Sequence, residues 1–142
     1  MQALIVHDDP AASDRLARAL SQRGFMVTQH SDQDQAIDFV RNSVTDLVVL
    51  KQVIAGRHTT SVALAAEYHH PSAVTLLLST RSRAGSVDLF EQIPSLHAIL
   101  SVHPDPQLVS ALGVHAVQNP NAATLVLSPG QRVVRAKPLQ AA

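Results

Sequence analysis

The sequence predicts an α/β domain with an open parallel sheet covered by helices on both faces, and three observations support this. Residues 3–6, 46–50, 73–78 and 98–102 are short, near-continuously apolar and partly β-branched, the pattern of strands buried on two faces rather than one. Segments with helical spacing alternate with them. The connections are a few residues long, and strands joined by right-handed helical crossovers run parallel in a single sheet.

The elements follow in order. Residues 3–6 form the first strand. Residues 10–23 place Ala12, Leu16, Ala19 and Leu20 on one helical face, and Gly24 stops that helix. Residues 25–29 form a second strand, shorter and more polar, which fits nearer a sheet edge. Helix 32–42 carries Ala36, Ile37 and Val40. Ser31, with Asp34 three residues on, resembles a capping box with a shorter acid. After the strand at 46–50, helix 59–69 carries Val62, Ala63, Ala66 and Tyr68 and ends before Pro71. The strand at 73–78 leads to a short helix at 85–92 with Val87, Leu89 and Phe90. The strand at 98–102 leads to helix 105–117. Asp105-Pro106 is a good N-cap and first-turn pair there, and Leu108, Val109, Leu112 and Ala116 follow.

Beyond Val117 the composition changes. Residues 118–121 read as a turn or linker. Residues 123–127 and 131–136 are β-prone runs around Ser128-Pro129-Gly130, which favours a type II turn and hence a hairpin. An isolated hairpin is marginal in water, so this one packs on the domain, pairs with another chain or belongs to something longer. The last residues, 137–142, read as a flexible tail. The expected division is a domain at 1–118 and an extension at 119–142.

Composition excludes several function classes. Of 142 residues, 46% are hydrophobic and 15% charged, enough apolar material for one buried core. Eleven Lys and Arg balance eleven Asp and Glu, and aromatics make up 3%. Neither a basic field nor a base-stacking surface points to nucleic acid. Cysteine is absent, which removes disulfides, thiolate nucleophiles and zinc–thiolate sites. No apolar run approaches the roughly 18 residues of a membrane span, and the N-terminus has no basic region ahead of its apolar stretch. The expectation is a cytoplasmic protein without a membrane partner. No P-loop and no Gly-x-Ser-x-Gly elbow occurs.

In an open parallel sheet the reactive crevice lies beyond the carboxyl ends of the strands. The residues expected there are His7, Asp8 and Asp9, then Lys51, then Ser79 and Thr80, then His103. Here the chain resembles the receiver domain of bacterial response regulators. Val6-His7-Asp8-Asp9-Pro10 resembles that family's acidic turn. Residues 46–51 resemble its phosphoacceptor strand, Leu76-Leu77-Leu78-Ser79 the strand ending in its Thr or Ser, and Leu100-Ser101-Val102-His103-Pro104 the segment ending in its Lys-Pro. The resemblance runs from about Leu4 to about Val117. It implies a flavodoxin-like, three-layer fold with a five-stranded parallel sheet of order 2-1-3-4-5.

The departures bear on chemistry. In a working receiver, acidic turn residues and the acceptor Asp hold Mg²⁺, a hard cation that takes oxygen ligands. Here the first acidic position is His7, the acceptor position is Lys51 and the family's Lys position is His103. Ala55 stands where the family often has Pro, and Leu100 where it often has a switching aromatic. A lysine forms no acyl phosphate, and its ammonium repels Mg²⁺. The resemblance therefore implies a degenerate pocket with no catalytic residue, no cofactor and Mg²⁺ binding lost or weak.

Each residue has a functional and a plainer reading. Lys51 either reaches Asp8 as an internal cation or points into solvent. Asp8 and Asp9 form a weak cation site or, more simply, a solvated turn in which Asp9 caps the next helix. His7 and His103 share one sheet edge, with direct contact not expected. His69-His70 ends a helix near its negative pole, and His30, His58, His97 and His115 read as surface or loop residues. Arg57, Arg81 and Arg83 form a basic rim that suits an anion. The expected function is non-enzymatic, phosphorylation-independent signalling through a protein partner or a second copy. The expected surface comprises the fourth helix, fifth strand and fifth helix. The alternatives are a receiver modified or liganded by an unusual route, or the N-terminal regulatory domain of a larger transcription regulator.

Overall fold

The computed structural model describes residues 1–80, 86–120, 125–127 and 133–135. In chain order the elements are β1 (Gln2–Val6), α1 (Pro10–Gln22), β2 (Met26–His30), α2 (Gln33–Asn42), β3 (Leu47–Lys51), β4 (Val53–Ile54) and β5 (Arg57–His58). Then follow α3 (Thr60–His69), β6 (Val74–Ser79), α4 (Ser86–Gln92), β7 (Leu96–Ser101), α5 (Pro106–Gln118), β8 (Leu125–Leu127) and β9 (Val133–Arg135).

The apolar runs make the centre of a sheet of order β2-β1-β3-β6-β7-β8-β9. The pairs β1–β2, β1–β3, β3–β6 and β6–β7 are all parallel. This is the expected 2-1-3-4-5 order of the five main strands. Leu4, Val6, Val48, Leu50 and Leu77 project to one side, where Ala36, Val40, Val62, Ala63, Ala66, Leu89 and Ile93 of the α2, α3 and α4 layer meet them. Ala3, Ile5, Leu47, Val49, Leu76 and Leu78 project to the other, against Leu16, Leu20, Val109 and Ala116 of α1 and α5. Leu4, Ile5, Leu50 and Leu76 are each fully buried, and each such side chain contributes roughly 1.5–3 kcal/mol relative to exposure.

Local chemistry sets the boundaries. Asp9 caps α1 by accepting from the Ala11 N–H, and Pro10 begins the helix. At the other end the Gly24 N–H bonds Ser21 and the Phe25 N–H bonds Leu20. This is a Schellman closure, with Gly24 at φ 94°. Phe25, expected to open the second strand, instead packs beside Leu20 in the core just ahead of β2. Asp46 joins the starts of β1 and β3, its carboxylate accepting from the Gln2 N–H at 2.8 Å and its own N–H donating to the Gln2 carbonyl.

Several expectations are corrected. The N-cap of α2 is Asp32, not Ser31, because the Asp32 carboxylate accepts from the Asp34 N–H two residues on. Tyr68 is 81% exposed; Val62, Ala63 and Ala66 share one face of α3, and position 68 falls on the other. Leu108 is also exposed. His97 is not a surface residue. β7 begins at Leu96 rather than at Ala98, and the register shift that pairs Thr75 with Leu96 but Leu76 with Ala98 buries His97 in the irregularity. Gly85 lies outside the described residues.

Two further strand pairs appear. β4 and β5 form a small antiparallel hairpin whose two turn residues, Ala55 and Gly56, have φ values of 52° and 75°. Two positive φ values in a two-residue loop define a type I′ turn. Proline, fixed near −65°, cannot occupy either position of this turn. The C-terminal strands extend the main sheet: β8 adds parallel to β7 through Ala98–Leu125 and Ile99–Val126, and β9 pairs antiparallel with β8. The backbone edge of β7 is therefore occupied along those residues. The proposed Ser128-Pro129-Gly130 turn and the tail at 137–142 lie outside the described residues.

Ala55 is a non-glycine residue in left-handed conformation, which costs roughly 1–2 kcal/mol. Ala55→Gly is expected to raise the urea midpoint, with a gain of up to about 1 kcal/mol after glycine's greater unfolded-state freedom is counted. Ala55→Pro is expected to lower it. A stabilised proline variant would show that this turn is not type I′.

Candidate functional site

The residues that the sequence placed in one crevice lie at or just beyond the carboxyl ends of β1, β3, β6 and β7, and contacts join some of them. β1 delivers His7 and Asp8, and β3 delivers Lys51. The Lys51 Nζ lies 2.8 Å from Asp8 Oδ1. The side chains are 26% and 40% exposed, so this is a partly solvated ion pair rather than a buried one. The hydrogen bond from Lys51 holds the Asp8 carboxyl below its usual range, against the upward push of partial burial.

His7 is buried, and its Nδ1 accepts from the Asp9 N–H at 2.9 Å. Burial first, and the Lys51 charge second, hold the imidazole below its ordinary value, although Asp8 and Asp9 pull the other way. The ring is therefore neutral near pH 7, with its proton on Nε2. The 3.5 Å approach of His7 Nδ1 to Asp8 Oδ1 is accordingly a contact between two acceptors and not an ion pair. Asp9 is exposed and serves as the α1 cap. His103 is exposed in the loop after β7, yet it and His7 line one cleft.

Ser79, at the end of β6, is buried and donates its hydroxyl to Gln52 Oε1. Gln52 is itself buried. Its N–H bonds Leu78, and its Nε2 has no partner among the described residues. Thr59, fully buried, donates to the Lys51 and Gln52 carbonyls at 2.7 and 3.1 Å. This clamp fixes the segment between β3 and α3, and with it the origin of the Lys51 side chain. Sequence reading missed Gln52 and Thr59; the only signal was their position just after the strand that ends at Lys51. Leu100 is buried against the α1–α5 layer. Arg57 is exposed on β5, and Arg81 and Arg83 lie outside the described residues.

His97 and His115 form a second histidine pair, with ring centroids 5.5 Å apart and His115 Nδ1 3.4 Å from His97 Nε2. Burial first and His115 second lower the His97 pKa, and its Nδ1 has no partner among the described residues. His70, rather than simply ending α3, donates Nε2–H to the Val40 carbonyl of α2 at 2.8 Å. No three His, Asp or Glu side chains among the described residues are grouped for a metal ion, and no described helix is long and apolar enough to cross a membrane.

No protein-family model matches the sequence. No curated protein matches it either. Solved structures do match. A CheY-like response regulator receiver domain protein from Methanospirillum hungatei JF-1 aligns with a TM-score of 0.73 at 17% identity, over 84% of this chain and 94% of that one. A response regulator from Burkholderia pseudomallei with a phosphorylated aspartic acid, calcium ion and citrate gives 0.67 at 18% identity, over 85% and 76%. A protein described as adenylate cyclase from Rhodopirellula baltica gives 0.72 at 19%, over 84% and 89%. The chain thus has the CheY-like, flavodoxin-type fold of receiver domains; identities this low speak to fold alone.

Two tests follow. Lys51→Met is expected to raise the NMR-measured pKa of both Asp8 and His7 while changing stability by less than about 1 kcal/mol. An unmoved Asp8 titration would rule out the contact. The second test concerns pH. His7 and His97 titrate below 6.5 in the folded chain, so the unfolded chain binds more protons just below that pH. Their contribution is intact above pH 6.5 and is lost as pH falls toward the folded values. Denaturant midpoints are expected to fall from pH 7 to pH 5, and less steeply in His97→Asn. An identical slope in the variant would remove His97 as a source.

Proposed function

We propose that this chain is a receiver-like signalling module that acts by binding a protein partner or a second copy of itself, without phosphoryl transfer. The observation that supports this reading is the Lys51 ammonium seated 2.8 Å from the Asp8 carboxylate at the carboxyl ends of β3 and β1. By the resemblance, Lys51 stands where the phosphoacceptor aspartate would be, and an amine there forms no acyl phosphate.

The residues present do not suit a hard divalent cation. Asp8 already has a cation on one oxygen, Asp9 is engaged in capping, and His7 presents a neutral ring whose Nδ1 accepts an N–H. Mg²⁺ binding is therefore weak or lost, and no chemical step is assigned to the site. The likeness to a protein described as adenylate cyclase brings no activity with it, because the fold alone is shared. Of the surface expected for partners, the β7 edge is taken along Ala98 and Ile99 by β8. Recognition then falls to side chains of the flanking helices and to the outer strands.

Acetyl phosphate with Mg²⁺, followed by intact-mass measurement, is expected to add no phosphoryl group. An added phosphoryl mass would sink the reading. In the converse experiment, Lys51→Asp combined with His7→Asp is expected to create measurable Mg²⁺ affinity. Calorimetry showing none would place these side chains around different sites.

A further inference from the structure

The cleft beside His7 has features that the ion pair does not use. α1 and α5 pack side by side, and where their first turns meet the ends of β1 and β7 they leave a cleft of about 240 Å³. Its walls are polar and apolar in near-equal parts, the apolar residues being Ala12 and Leu16 from α1 and Val102, Pro104 and Pro106 from the approach to α5. Its polar lining is His7, Arg15 and His103.

His7 is the informative residue. It is 5% exposed. Its Nδ1 is occupied by the Asp9 N–H, so the neutral ring carries its proton on Nε2. No described residue accepts that proton, and Nε2 is not among the buried polar atoms sealed from solvent. The N–H therefore keeps access to solvent, on a residue that lines the cleft. The neighbouring carboxylates are engaged elsewhere: Asp8 with Lys51, Asp9 with the Ala11 N–H, and Asp105 with the Gln107 N–H. Arg15 is exposed at the rim with no carboxylate partner among the described residues. The amino ends of two 13-residue helices, α1 and α5, converge there, each already capped by an aspartate, Asp9 and Asp105.

We propose that this cleft binds a small organic carboxylate, its carboxylate accepting from His7 Nε2–H and facing Arg15, and its apolar body lying along Leu16, Val102 and the prolines. The apolar share of the walls favours an organic acid over a bare oxyanion, since inorganic phosphate has no apolar surface to bury. The volume is below that of a drug-sized pocket and suits a molecule of about ten heavy atoms. The inference does not depend on the loss of phosphoryl transfer; of the Lys51 contacts it uses only the pairing that occupies Asp8.

The test is an amide NMR titration of the full chain with benzoate, with its neutral isostere benzamide and with inorganic phosphate. Benzoate is expected to shift the signals of Ala12, Leu16 and His103 saturably. Benzamide is expected to bind about 10-fold more weakly or worse, and phosphate not to saturate. His7→Phe is expected to weaken benzoate about 10-fold, and Arg15→Gln several-fold. Absence of saturable benzoate shifts, equal affinity for benzamide, or saturable phosphate in its place would overturn the proposal. So would benzoate affinity that both variants leave unchanged. If His7→Phe does not fold, the exposed Arg15→Gln decides alone, and unchanged affinity there overturns it.

Discussion

The structure depends on one constraint: β1, β3 and β6 are buried on both faces. A strand with Leu4 and Val6 on one side and Ala3 and Ile5 on the other is satisfied only when helices cover both sides. That requirement sends the chain across the sheet after each strand. α1 and α5 cover one face, and α2, α3 and α4 the other. Because parallel strands share a direction, their carboxyl ends share an edge, and every loop that leaves a strand there adds a side chain to one small region. Lys51 meets Asp8, and His103 shares a cleft with His7, for this reason, although they are distant in sequence.

Within that region, charge and hydrogen bonding sort the residues into separate roles. Lys51 takes Asp8, Asp9 takes the first turn of α1, and Ser79 takes Gln52. Among the described residues, the Gln52 amide nitrogen and the Nε2 of His7, a residue of the α1–α5 cleft, are left without a partner. The site is better described as an ion pair with a neighbouring pocket than as an open acidic crevice. Thr59 contributes indirectly by holding the Lys51 and Gln52 carbonyls, which fixes where β3 ends and where the hairpin of β4 and β5 begins.

The edge of the sheet is equally consequential. In a five-stranded arrangement β7 would present its backbone to a partner. Here β8 takes up that edge along Ala98 and Ile99, and β9 follows β8. An exposed sheet edge invites pairing, and two added strands move it outward along the sheet. Recognition by this chain therefore rests on different groups from those that strand order alone would suggest.

The sequence by itself determined the alternation of strands and helices, the two-faced burial of the central strands and the presence of Lys51 at the end of β3, because these follow from local periodicity and residue identity. It also pointed to the caps at Asp9 and Asp105. Tertiary structure decided the rest. Ser31 and Asp32 are both good caps, and only the backbone geometry selects Asp32. His97 became buried because a register shift in β7, invisible in a single strand, turns it inward beside His115. The turn at Ala55 and Gly56 exists because β4 and β5 find each other after Gln52 and Thr59 are pinned. Whether Lys51 meets Asp8 or solvent was open in the sequence. Closing 2.8 Å between side chains from different strands requires the parallel register of β1 and β3, a long-range property that no local pattern encodes.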